Sequence, residues 1–134
     1  MVFSKRITVP ANTLEVSAKI DYLILTSGVL NNIRVIMPTG HGGLVHCRIF
    51  YEEKQIFPFN PDTDYSSGDV DVNVNVFITR PHEIKILTWN LDTVDGHSPC
   101  FFFNVDTSSI EHKHHIPKTI KKSSRWDWFF GGGF

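Results

Sequence analysis

The sequence has little cysteine, no long apolar run, no excess of either charge and no stretch with sustained helical periodicity. Cys47 and Cys100 are the two cysteines in 134 residues, which fits a compartment where thiols stay reduced. Each lies within or beside an apolar stretch, where a free cysteine packs as a small hydrophobe. A bridge between them stays open at this point, since spacing alone does not establish a disulfide. No apolar run approaches the ~18 residues of a membrane-spanning helix, so the expectation is a soluble chain with no membrane partner. Lys5 and Arg6 near the start are not followed by an apolar stretch of about 7–15 residues, so no secretory signal is read and synthesis is expected in the cytoplasm. Thirteen Lys and Arg against fourteen Asp and Glu give a formal charge of −1. That balance argues against broad contact with a phosphate backbone, and no nucleic-acid partner is expected.

What is present is apolar and alternating. Hydrophobic residues make up 41% and charged residues 20%, which excludes an intrinsically disordered chain. A chain of this size buries roughly 68% of its unfolded surface and can hold a core without metals or disulfides. Val70, Val72, Val74, Val76 and Ile78 alternate with Asp71, Asn73, Asn75 and Phe77. Only a strand puts the five aliphatic side chains on one face. Weaker alternation predicts strands over 3–9, 15–26 (apolar set Val16, Ile20, Tyr22, Ile24), 29–37 (Ile33, Val35, Met37), 44–51 (Val45, Cys47, Ile49, Tyr51), 55–59, 84–90 and 101–105. Pro38, Pro58, Pro61 and Pro81 stop the pattern because proline cannot donate to a ladder. About eight strands at spacings of roughly 8–14 residues leave no room for parallel crossovers. The expected fold is an all-β, antiparallel two-sheet β-sandwich of jelly-roll or immunoglobulin-like type.

Composition changes after Val105. Residues 1–105 hold eight Lys and Arg against eleven Asp and Glu, a net of −3, whereas residues 106–134 hold five against three, a net of +2. The expected organisation is a sandwich body over 1–105, a polar basic linker over 106–125 and a docking tail over 126–134. Trp126, Trp128, Phe129, Phe130 and Phe134 make five of those nine tail residues aromatic. Enclosed aromatics bury about 150–250 Å² each, so the cluster represents up to ~1,000 Å² of apolar surface. A soluble monomer seldom displays a contiguous patch beyond a few hundred Å². These five residues are therefore the predicted partner-binding set. The linker would reach ~60 Å if extended, farther than folding back onto its own body requires. The tether would raise the effective concentration of the second contact.

The candidates for chemistry are weaker. His112 and His114 would share a face of an extended chain, with His115 adjacent, and imidazoles suit zinc or nickel. A full site needs further ligands, and Lys113 and Lys118 repel a cation, so a polar linker is the expected reading. Clustered histidines that gain charge near pH ~6 could still loosen an assembly contact. The loop from Asp62 to Asp71, with Asp64, Ser66 and Asp69, has calcium-type carboxylates but lacks the glycine and closing glutamate of a calcium loop. Gly40-His41-Gly42-Gly43 is a turn, with no Gly-Lys-Ser/Thr after it to cradle phosphate. No serine stands in a nucleophile-elbow context, so no enzyme and no cofactor are expected. Loops around Tyr65, His41 and His97, together with Trp89, could form a sugar-binding groove, and a carbohydrate-binding module is the alternative.

From Leu23 to Asn60 the sequence reads LILTSGVLNNIRVIMPTGHGGLVHCRIFYEEKQIFPFN. It contains a strand, a Gly28-Val29 turn, a strand closed by Pro38-Thr39-Gly40, and Gly43-Leu44-Val45 opening a strand towards Gln55-Ile56-Phe57-Pro58. In these features the stretch resembles small β-sandwich accessory proteins of tailed-phage virions. The resemblance implies a capsid-decoration, fibre-base or connector role in a virion. Its implied partners are copies of the same chain or other virion proteins, such as the major capsid protein. The aromatic tail is not part of the resemblance.

Overall fold

The computed structural model describes residues 1–107. They form eight strands: β1 (Val2–Arg6), β2 (Lys19–Leu25), β3 (Gly28–Ile36), β4 (Val45–Tyr51), β5 (Lys54–Phe57), β6 (Val70–Ile78), β7 (His82–Asn90) and β8 (Cys100–Asp106), with one short 3₁₀ turn over Glu15–Ser17. Two antiparallel four-stranded sheets result, ordered β1-β8-β3-β6 and β2-β7-β4-β5. The pairs are nested, β1 with β8, β2 with β7, β3 with β6 and β4 with β5. A chain whose two halves pair in this way is one long hairpin rolled across two sheets, which is the jelly roll. The choice that the sequence leaves open is thereby decided against the immunoglobulin-like arrangement. Among the described residues no helix is long and apolar enough to cross a membrane.

The core lies between the sheets and is built from alternate residues. Leu30, Ile33, Val35, Phe101, Phe103 and Val105 of the first sheet meet Leu25, Val45, Cys47, Ile49, Ile84 and Ile86 of the second. Leu30 and Ile33 are three apart yet both face inward, because the ladder slips between Leu30 and Asn32. A bulge of this kind resets which face a strand presents. Cys47 and Cys100 are both free. Cys47 is buried in the core, and burial pushes its thiol up, with the Asp64 carboxylate adding to the shift. Cys100 is half-buried at the start of β8, an interior strand of the first sheet, where Arg6 Nε donates to its Sγ at 3.4 Å.

The apolar set expected for the second strand is corrected. Val16 lies in the 3₁₀ turn and is exposed, and Ile20, Tyr22 and Ile24 point outward. Leu23 and Leu25 take the inward positions, opposite Ile84 and His82 of β7. The segment carries large apolar residues on both faces, so alternation alone cannot say which set is buried, and a one-residue slip exchanges them. Pairing with the buried face of β7 settles it.

Candidate functional site at the open edge of the sandwich

A two-sheet sandwich has four edge strands, and each unpaired edge is a place where another chain can attach. Here they are β1 and β6 in one sheet and β2 and β5 in the other. β1 has five residues and carries Lys5 and Arg6. β5 has four and runs into Pro58. β2 turns Lys19 and Asp21 to its inward side, where Lys19 Nζ and Asp21 Oδ1 pair at 3.0 Å, and inward charges discourage strand addition. β6 is the longest edge, at nine residues, and carries no lysine, arginine or proline.

β5 and β6 end their sheets on the same side, and an apolar groove of about 670 Å³ opens between them. Ile56 of β5 forms one wall and Val74 and Val76 of β6 the other, with Phe59 and Pro61 at the mouth and Lys54, Asn73 and Asn75 on the rim. This volume falls within the ~300–1,000 Å³ range of ligand-binding clefts. Among the described residues the groove exists because β6 is incompletely covered. Val70, Val72, Val74 and Val76 share the inward face as the alternation predicts, but each is only half-buried, and Ile78 alone is fully enclosed. The β3–β6 ladder also slips between Asn73 and Val76, so the groove wall coincides with a bulge. Bulges re-aim side chains at sheet rims.

Phe59 is held in place yet left in solvent. Gln55 Nε2 donates to the carbonyls of Pro58 at 3.0 Å, Asn60 at 3.2 Å and Thr63 at 2.9 Å. Thr63 Oγ1 donates to the Asn60 carbonyl at 2.6 Å. These bonds order the loop, and Phe59 is nevertheless 89% exposed. An ordered exposed aromatic beside an apolar groove is the usual make-up of a binding anchor.

The outer face of the second sheet carries a second group of side chains. His46 stacks on Trp89, with ring centroids 5.4 Å apart, and His46 Nδ1 lies 2.5 Å from Asp64 Oδ2. The Arg48 guanidinium lies 5.8 Å from the Trp89 ring centroid and donates to Glu15 Oε2 at 3.4 Å and to the Asp62 carbonyl at 3.3 Å. Trp89 does not line an open groove but is buried, beneath these polar groups on the outer face instead of between the sheets. The cluster pins the 58–69 loop and the 3₁₀ turn to the sheet, and so braces the groove from behind. Beyond it, Ile20, Tyr22 and Ile24 form an exposed apolar row.

The other predicted positions are occupied by internal bonds. The Asp62–Asp71 carboxylates diverge: Asp64 meets His46, Asp69 Oδ1 accepts from the Met37 amide at 2.9 Å, and Asp71 meets Asn32. Among the described residues no group of three or more potential ligands is placed to hold a metal. His41 is buried and its Nδ1 accepts from the Gly43 amide, while the Tyr65 hydroxyl donates to the Gly68 carbonyl at 2.5 Å. His97 Nε2 sits 2.9 Å from Asp92 Oδ2. The Val94 amide, the His97 side chain and the Asp95 amide together hold the Asp92 carboxyl at about 2, well below the usual range. Trp126, Trp128, Phe129, Phe130 and Phe134, the tail and all of the linker beyond residue 107, including His112, His114 and His115, lie outside the described residues.

Sequence reasoning missed the groove and the Phe59 anchor. The available signal was Pro58-Phe59-Asn60-Pro61, which puts an aromatic between two strand-breaking prolines in an otherwise polar loop. Compared with known proteins, the chain matches no family model and no curated protein.

Proposed function

We propose that this chain is a non-enzymatic structural assembly protein, a virion subunit of the capsid-decoration, fibre-base or connector kind. It would hold a neighbouring subunit through Trp126, Trp128, Phe129, Phe130 and Phe134. The observation that supports this reading is the concentration of five aromatic rings in residues 126–134, beyond a body whose described residues already share one apolar core between two sheets. Roughly 1,000 Å² of aromatic surface is more than a soluble monomer keeps in water. The jelly roll supports the reading at the level of architecture, since viral capsid domains use it, although lectin domains do too and a fold alone does not assign a function.

The test is the mass of the full chain in solution, by sedimentation equilibrium, with and without residues 126–134. An assembly subunit forms oligomers that the deletion abolishes. Oligomers that survive the deletion would refute the tail as the clasp. A chain whose mass ignores the deletion and which binds a glycan array with or without the tail belongs to the carbohydrate-binding class instead.

A further inference from the structure

The assembly reading leaves open what receives the aromatic tail, and the open edge of the body supplies an answer that rests on that reading. We propose that the groove between β5 and β6 is the receptor for Trp126–Phe134 of a second copy of this chain. In an extended segment Trp126, Trp128 and Phe130 fall on one side and Asp127 on the other, by the period of two. Three consecutive same-side aromatics match a groove walled by Ile56, Val74 and Val76 and flanked by Phe59. Asp127 is then directed to the rim, where Lys54 stands. The tail itself carries only Asp127, but the linker that precedes it is basic and brings residues 106–134 to +2, which favours encounter with a body at −3.

Chain length selects a second copy as the donor. β8 ends at Asp106, opposite Val29, which is itself opposite Phe77 of β6. The end of β8 thus stands about two strand spacings, or ~10 Å, from the strand that walls the groove. Reaching its own groove takes a handful of residues. Residues 107–125 supply nineteen, enough to cover ~60 Å when extended. That surplus spans the distance to an adjacent body. A tether of this length also keeps the chain's own tail at roughly mM local concentration, so capture by its own groove is the competing outcome the experiment must separate.

The experiment uses the full chain, a groove variant Val74→Lys and a tail variant Trp126→Ser/Trp128→Ser/Phe130→Ser, each followed by sedimentation equilibrium alone and mixed in equal amounts. The expected result is that wild type self-associates and that each variant weakens association by roughly 30-fold or more, the usual effect of losing an aromatic anchor or its pocket. The equimolar mixture regains a heterodimer, because one partner keeps its tail and the other its groove. If Val74→Lys loses its cooperative melt, Phe59→Ser replaces it, since that residue is 89% exposed. If groove variants associate like wild type while the tail variant does not, the groove assignment falls and the assembly reading stands. If wild type is monomeric, or if all variants associate alike, both fall.

Discussion

Gly28 is the position where a single added methyl group should disturb the body most. It opens β3 in a buried place, opposite Ile78 of β6 and beside the end of β8. Its φ of +149° lies in a region that only glycine adopts readily, and a non-glycine residue held there costs about 1–3 kcal/mol. A Cβ at this site would stand 2.7 Å from both the Asp106 carbonyl oxygen and Val105 Cγ1. Unstrained carbon contacts are about 3.5–4.0 Å, and one of the two obstacles is backbone that cannot rotate away. Overpacking adds about 1–3 kcal/mol, so Gly28→Ala should destabilise the body by about 2–6 kcal/mol. For a domain near 100 residues, a loss of about 4 kcal/mol lowers Tm by roughly 16–32 °C. Gly42→Ala is the control, since φ there is +62° but nothing lies within 4 Å of the added Cβ. It should cost only the left-handed penalty, about 1–2 kcal/mol. Urea unfolding followed by far-UV circular dichroism measures both. If Gly28→Ala falls within about 0.5 kcal/mol of wild type, or Gly42→Ala costs as much, the close approach of β8 to β3 is misplaced.

Three further outcomes are expected. Phe103→Ala removes a fully enclosed ring from the centre of the first sheet and should cost about 3–5 kcal/mol in the same unfolding assay, whereas Phe59→Ala should leave stability within about 0.5 kcal/mol. A thiol reagent should label Cys100 in the native protein and reach Cys47 only after denaturation, because Cys47 is enclosed and its thiolate is disfavoured by burial; equal labelling rates, read by mass spectrometry, would refute that burial. The folded-state pKa of Asp92 lies below its ordinary 3.8, so its contribution to stability is full above 3.8 and is lost as pH falls through about 2. The Val94 and Asp95 amide shifts should therefore hold steady through 3.8 and move near 2, a step that Asp92→Asn abolishes. A midpoint at 3.8 would count against the hydrogen-bonded carboxylate.

Legibility followed the degree to which local pattern had one solution. β6 was readable to the residue, because valine alternates there with asparagine and aspartate and only one face can be buried. Pro38 marked the end of β3, and Gly40 with Gly42 and Gly43 marked the turn before β4, for stereochemical reasons local to those residues. β2 was readable as a strand but not as to face, since Ile20, Tyr22 and Ile24 compete with Leu23 and Leu25 and only the register against β7 discriminates. The bulge that brings Leu30 and Ile33 to the same side was likewise invisible, because alternation by itself assumes an unbroken ladder. The groove depends on β5 and β6 meeting across two sheets, though twelve residues stand between Lys54–Phe57 and Val70 and neither strand hydrogen-bonds the other.

By itself the sequence determined that the body is antiparallel and all-β, that composition changes after Val105, and that aromatic residues are densest over 126–134. Those properties come from side-chain periodicity and composition, which act over a few residues. Only the tertiary structure decided that the strands nest as a jelly roll, that β2 turns its isoleucines outward, and that among the described residues the edge between β5 and β6 stays open. Each of these depends on which distant strand supplies the other half of a ladder, and hydrogen-bond partners that far apart leave no mark in local pattern.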